Sequence, residues 1–308
     1  MNDELVTRRR GLAGIVSYAA LVTAGRSLQG PATLVDSRRR LIISSDDAGM
    51  CPAVNEGTIL GLEHGQITSA SIMTCCPCFN EFAEYAVRHP EFDYGVHLVL
   101  TCDLRQQTWG AVAEKSLVPS LLDEHGLLPM WPSKNVSPEE VEIELRAQIE
   151  KAINAGIRVT HIDHHMWVMF HSIALLKLYV RLGIEYGLPI RISRTVPRQV
   201  VNRGEEFVSV YRQQVEKVEK HGLPVLEFIE SENYSVEPEK KREYFLTQIQ
   251  RLPRGTSEIA AHCSRWTHGA QPPDFSRREV DTQFWTSLEV KECLAGCSIQ
   301  PTTFDKFI

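Results

Sequence analysis

The sequence has no surplus of basic residues. Its 33 Lys and Arg against 39 Asp and Glu leave a formal charge of −6, so the positive field that holds a phosphate backbone is missing and general nucleic-acid binding is excluded. It also has no apolar run long enough to cross a bilayer, for which about 20 residues are needed. The longest, 11–25, is GLAGIVSYAALVTAG, and stable membrane insertion is not expected. No G-x-S-x-G, P-loop, G-x-G-x-x-G or H-E-x-x-H occurs, which removes the common serine-hydrolase, nucleotide-binding and zincin readings. The Cys75-Cys76-Pro77-Cys78 run has no second ligand pair at zinc-ribbon spacing, so a structural zinc is not expected. The other cysteines are Cys51, Cys102, Cys263, Cys293 and Cys297, and most of the eight read as buried thiols.

What remains is a 308-residue chain of ordinary globular composition, long enough for a substantial core. Residues 1–36 read as a leader. Thr7-Arg8-Arg9-Arg10 precedes the short apolar run, the pattern of an export signal of the twin-arginine kind. A periplasmic or otherwise exported protein follows if that signal operates, and a cytoplasmic one if it does not. Residues 37–308 then form a single catalytic domain.

From residue 41 onward short apolar runs alternate with helical patterns. LIISS (41–45), SASIMT (69–74), YGVHLVL (94–100), RVTHID (158–163), LPIRIS (188–193), LPVLEFI (223–229), SEIAAH (257–262) and SIQPTTF (298–304) read as strands, about eight in all. Between them lie helices, one opening on Ser137-Pro138-Glu139-Glu140 with a cap, a proline and first-turn acids. Such alternation means parallel strands in βαβ units, and the size favours a distorted (β/α) barrel of TIM-barrel-like architecture. The stretch 101–136, with Trp109, Trp131 and several prolines, is too long for an ordinary connection and reads as a functional loop over the strand ends.

Polar residues recur at the carboxyl ends of these strands. Asp46 and Asp47 follow LIISS, His97 lies near the end of the third strand, His161, Asp163, His164 and His165 crowd the fourth, and His262 ends SEIAAH. In an α/β barrel those ends form one face, where active sites are built. Strand alternation sets His161, Asp163 and His165 on one side and His164 on the other, so His165 is the inward group and His161 or Asp163 the residue that orients it. Asp47, His97 and His165 make a divalent-metal site with open positions. Asp46 stands ready as a base and His262 as an acid. Taken singly, an Asp pair after a strand serves as a helix cap and a lone histidine as core; their common placement is what points to chemistry.

The blocks LIISSDDAGMCPAVNEGT (41–58), ITSASIM (67–73), GVHLVLT (95–101), VPSLLDEHG (118–126), THIDHHM (160–166), SEIAAH (257–262) and FWTSLEVKECL (284–294) resemble, in order, those of the YdjC-like carbohydrate deacetylases, a family that includes chitooligosaccharide and hopanoid-linked sugar deacetylases. The resemblance covers about 40–308. It implies a distorted (β/α) barrel, a metal on Asp47, His97 and His165, Asp46 as base and His262 as acid. It departs from the family pattern at DDAGM, at the shortened His run His164-His165-Met166-Trp167, and at Cys263-Ser264-Arg265-Trp266, all of which belong to the pocket wall.

The activity expected is metal-assisted hydrolysis of an N-acetyl group on an amino sugar or oligosaccharide. The cofactor is one divalent cation, zinc or magnesium first, with two imidazoles leaning toward zinc, cobalt, nickel or manganese. Trp109, Trp131, Trp167 and Trp266 follow site residues closely and are candidates for a sugar-stacking platform, against the alternative that they cap the core. A homodimer follows only from the resemblance. The competing readings are a metal-dependent hydrolase of another amide or ester on the same fold, and a non-catalytic sugar-binding protein, which would have no need of Asp46.

Overall fold

The computed structural model describes residues 38–102, 108–132, 136–267 and 275–307. The leader expected at 1–36 lies outside them. In chain order the elements are β1 (Arg39–Ala48), α1 (Pro52–His64), β2 (Ser69–Ile72), α2 (Phe79–Arg88), β3 (Asp93–Leu98), α3 (Pro138–Asn154), β4 (Val159–His164), α4 (Ile173–Tyr186), α5 (Arg198–Val201), α6 (Glu205–Lys220), β5 (Phe228–Glu230), α7 (Pro238–Arg251), β6 (Gly255–Ala261), α8 (Phe275–Trp285), α9 (Leu288–Gly296) and β7 (Ile299–Pro301).

Every paired strand is parallel, in the order β4-β3-β2-β1-β6-β5. Two single bridges, Ile162 with Ile190 and Ser193 with Leu226, continue the arc from β4 through 190–193 to the segment leading into β5. The sheet thereby meets itself as a distorted (β/α) barrel. Among the described residues there are seven strands rather than eight, because LPIRIS contributes only those bridges. Its ladder bonds are confined to those bridges: Arg191 N–H is shared between the Ile162 carbonyl and the Tyr179 hydroxyl, and Ser193 N–H donates to the hydroxyl of Tyr211. β7 adds no stave to the ring, since it pairs with Arg39–Leu41 of β1 while β2 takes the Ser44–Ala48 end.

The strands are buried on both faces, as a parallel sheet under helices requires: Leu41, Ile42, Ile43, Ala70, Ile72, Val96, Leu98, Ile162, Ile259 and Ala260 are all out of solvent. The helix start expected at Ser137 is as read, its hydroxyl accepting from Glu140 N–H with Pro138 in the first turn. The stretch after β3 is pinned to α3, where the buried Glu144 carboxylate accepts from Val112 and Ala113 N–H. No disulfide joins the eight cysteines, of which three are buried and five half-buried. No helix among the described residues is long and apolar enough to cross a membrane.

Candidate metal and catalytic site

β1 runs through the Asp pair instead of ending before it, and that creates a difficulty, since neighbouring residues of a regular strand face opposite ways. The chain resolves it with a bulge. The register against β2 shifts between Ser45 and Ala48, and Asp47 adopts a left-handed backbone with φ 72°. Both carboxylates therefore line one pocket of about 120 Å³, together with His97, His164, His165, Trp167, Arg191, Tyr234, His262 and Arg278. On β4 a similar break follows the strand: Met166 and Trp167 have φ 53° and 55°, which turns Trp167 back toward the pocket. Non-glycine residues in this region cost about 1–3 kcal/mol each and cluster at functional sites.

Asp47 Oδ1 lies 3.0 Å from His165 Nδ1 and 3.3 Å from His97 Nε2, and one donor atom from each of the three falls within 4.8 Å of the others. Ligand atoms about 2.1 Å from a tetrahedral zinc stand about 3.4 Å apart, so this donor set fits a divalent cation. His97 is prepared for it. Its Nδ1 lies 2.7 Å from Asp163 Oδ1, and donating there makes Nε2, on the Asp47 side, the nitrogen whose proton a cation would displace, the carboxylate–histidine arrangement of metal sites. Burial favours neutral His97, but Asp163, Asp46 and the bonds to Asp163 and Asp47 outweigh it and raise its pKa to about 10. Asp47 is drawn the other way: burial would raise its pKa, yet Arg278 and His165 hold it well below the usual carboxylate range.

Asp163 thus orients His97, not His165. Its other oxygen accepts from Ser71 at 2.6 Å and from Arg191 at 2.7 Å. His161 stands away from the pocket, with Nδ1 2.9 Å from Thr160 Oγ1 and its ring stacked on Phe304 at 3.8 Å. Gly95 makes room for it, since a Cβ there would lie 2.2 Å from His161 Nε2. His164 does reach the pocket, though alternation set it on the opposite side; its ring packs on Phe170 and Tyr179, and neither nitrogen has a hydrogen-bond partner among the described residues.

Arg191 was not singled out from the sequence and organises much of the site. Its guanidinium grips Asp46 with two bonds of 2.7 and 2.8 Å and also reaches Asp163 and Glu258. Asp46, His97 and Asp163 form a second cluster of possible ligands, but both of its carboxylates are already engaged by Arg191. The signal for Arg191 and Glu258 lay in LPIRIS and SEIAAH, where a charge inside a buried apolar run has to be paired. Arg278 on α8 reaches Asp47 Oδ2 at 2.7 Å; it is distant in sequence and carries no strand-end signal.

His262 sits across the pocket with its ring 4.9 Å from that of Tyr234. Its backbone N–H donates to Asp281, whose other oxygen is held by the buried Lys241 at 2.6 Å. α1 presses on the segment that follows, since a Cβ on Gly57 would come within 2.3 Å of Ser264 Cα. Burial, with Arg278 and Lys241 adding to it, keeps the His262 imidazole well below its ordinary pKa.

Of the four tryptophans, Trp167 alone lines this pocket among the described residues. Trp109 is buried with Nε1 donating to the Thr101 carbonyl, Trp131 is exposed and stacks on His171, and Trp266 packs edge-on against Phe275.

A parallel (β/α) barrel with an Asp-His-His donor set and a second, Arg-held Asp at the carboxyl ends of its strands has its candidate site where barrel enzymes build theirs, with residues that could hold a metal ion. Comparison with known proteins gives the family. The chain belongs to the family described as YdjC-like protein, whose model matches residues 40–296. It is 37% identical over 154 residues to a carbohydrate deacetylase of Brevibacillus brevis, covering 49% of this chain and 58% of that protein. A carbohydrate deacetylase of Geobacillus stearothermophilus is 35% identical over 159 residues, 51% of this chain and 61% of the relative. The match thus spans about three-fifths of these two relatives' length. Among solved structures, one from Enterococcus faecalis, described as a cellobiose-phosphate cleavage protein, superposes with TM-score 0.71 at 27% identity, covering 88% of this chain and 99% of that one.

Proposed function

We propose that this protein is a metal-dependent carbohydrate deacetylase that hydrolyses the N-acetyl group of an amino sugar or oligosaccharide. The observation that carries the reading is the separation of labour in one pocket: Asp47, His97 and His165 converge as a donor set, while Asp46, beside them, is turned away onto Arg191. A divalent cation on those three residues would lower the pKa of water and polarise a carbonyl. Asp46 is the base. Arg191 fixes the plane of its carboxylate, and Glu258 and Asp163 fix Arg191, so the base is positioned before substrate arrives. Water adds to the acetyl carbon as Asp46 takes its proton, the C–N bond breaks, and acetic acid and a free amine leave. His262, neutral at rest, becomes the acid when the proton taken by Asp46 passes to it, and it hands that proton to the leaving nitrogen. Trp167, at the pocket wall, offers a face for a sugar ring. The relatives named carbohydrate deacetylase support this substrate class.

Acetate release from a panel of N-acetylated sugars, using metal-stripped protein reloaded with single divalent ions, tests the proposal. Release should depend on the metal, and Asp46→Asn should cost about 10²–10⁴ in rate with the metal retained. Metal binding without any acetate release would shift the reading to another amide or ester. Full activity of Asp46→Asn would remove Asp46 from the chemistry.

A further inference from the structure

Arg278 is held on two sides and open on a third. Its Nη2 donates to Asp47 Oδ2 at 2.7 Å, the oxygen not shared with the imidazoles, and Tyr234 is its second partner, hydrogen-bonded to the guanidinium with its ring 5.2 Å from the guanidinium carbon. Its other amino group, Nη1, is buried and has no hydrogen-bond partner among the described residues. A guanidinium cannot shed its proton, and a buried charged donor left without an acceptor costs more than a neutral one. An arrangement of this kind is completed by an oxygen that arrives from outside.

The pocket narrows which oxygen. Two guanidinium groups line it. Arg191 is used fully by Asp46, Asp163 and Glu258, so Arg278 supplies the unspent cationic donor among the described lining residues. The fork of a guanidinium is planar and rigid. An atom bonded to Nη1 therefore lies beside the Asp47 carboxylate, next to the three-residue donor set and across from His262.

Resting on the deacetylase reading, we propose that Arg278 is a further catalytic residue, whose Nη1 receives the acyl oxygen of the substrate. That oxygen is the acetamide carbonyl before reaction and an acetate oxygen after it. When the water oxygen bonds to the carbonyl carbon, the π pair moves onto this oxygen, and the charge-assisted bond from Nη1 strengthens as negative charge gathers there. When the C–N bond breaks the pair returns to the carbonyl and the amine leaves with its proton. Arg278 keeps all of its own protons throughout.

Arg278→Lys separates the two duties, since one ammonium can hold Asp47 but cannot also present a fixed second donor. Arg278→Gln serves as the neutral counterpart. Each variant is first titrated with zinc and then studied at saturating zinc, where acetate affinity is read by calorimetry. Removal of an oxyanion donor costs about 10²–10³ in kcat. The expected result is zinc binding retained in Arg278→Lys, acetate affinity down by at least about tenfold, and kcat for acetate release down in that range. Variants that bind acetate as the wild type does, and keep its kcat, overturn the assignment and leave the deacetylase reading standing. A wild type that binds acetate through Arg278 but frees none from any N-acetylated sugar overturns the deacetylase reading and keeps Arg278 as an acyl-oxygen donor. Wild-type crystals grown with zinc and acetate need no variant to fold: acetate within hydrogen-bond distance of Nη1 supports the proposal, and acetate bound in the pocket away from Arg278 refutes it.

Discussion

Asp163→Asn is a nearly isosteric change that should act through a proton on another residue. Asp163 accepts from Ser71 and Arg191 on Oδ2 and faces His97 Nδ1 with Oδ1 at 2.7 Å. An asparagine must keep its carbonyl toward the two donors, Ser71 and Arg191, so its NH₂ points at His97. His97 can then only accept at Nδ1, and its proton moves to Nε2, the nitrogen that faces Asp47 across 3.3 Å. The donor set would hold an N–H where a lone pair is needed. Loss of such an orienting partner costs about 10- to 100-fold in metal affinity, or about 1.4–2.7 kcal/mol at 1.36 kcal/mol per tenfold. The loss of fold stability should be smaller than for an isolated buried ion pair, because Arg191 keeps Asp46 and Glu258. Calorimetric zinc titration of the stripped protein is the assay, with urea unfolding in parallel. Zinc affinity within twofold of wild type, in a folded variant, would refute the role given to Asp163.

Three further outcomes follow from the same geometry. Trp109→Ala, which empties a buried site and removes a bond to Thr101, should lower stability by about 3–5 kcal/mol in urea unfolding. Trp167→Ala should leave the fold intact and weaken saccharide binding by about three- to tenfold; unchanged saccharide affinity would remove Trp167 from the platform. Glu258 is lifted to about 7 by burial, against the pull of Arg191. The unfolded chain releases this proton near 4.3 and the folded one near 7, so between those values the unfolded state binds fewer protons and stability falls as pH rises, by at most about 1.4 kcal/mol per unit. Glu258→Gln should flatten that slope, and an unchanged stability profile between pH 5 and 7 would show that Glu258 does not titrate there.

Much of this could be read before the fold was known, and for definite reasons. Parallel barrels place strand ends on one face, so residues as distant as Asp47, His97, His165 and His262 could be grouped by their position at the end of apolar runs. Local rules fail where the chain departs from regularity. Alternation cannot bring Asp46 and Asp47 to one pocket; only the bulge and the left-handed Asp47 do so. The same rule put His164 outside, because it could not foresee that β4 ends at that residue and the chain turns back at Met166 and Trp167. Arg278 reaches Asp47 from a helix 231 residues further along, and no periodic pattern encodes such a partner. LPIRIS has the composition of a strand and bonds to its neighbours at Ile162 and Leu226, yet the Tyr179 hydroxyl shares the Arg191 donor and that of Tyr211 takes the one of Ser193, and only single bridges form.

The backbone at Asp47 also says something about how such a chain ages. Its left-handed conformation is one that glycine adopts freely and asparagine tolerates, yet either replacement would take from the buried Arg278 the carboxylate that pairs it. Asp46 is in the same situation, since its loss would unpair one side of the buried Arg191. If a descendant of this protein were freed from its chemistry, each aspartate would still be retained by its own arginine. A lineage in decline would therefore carry the Asp pair long after the activity had gone.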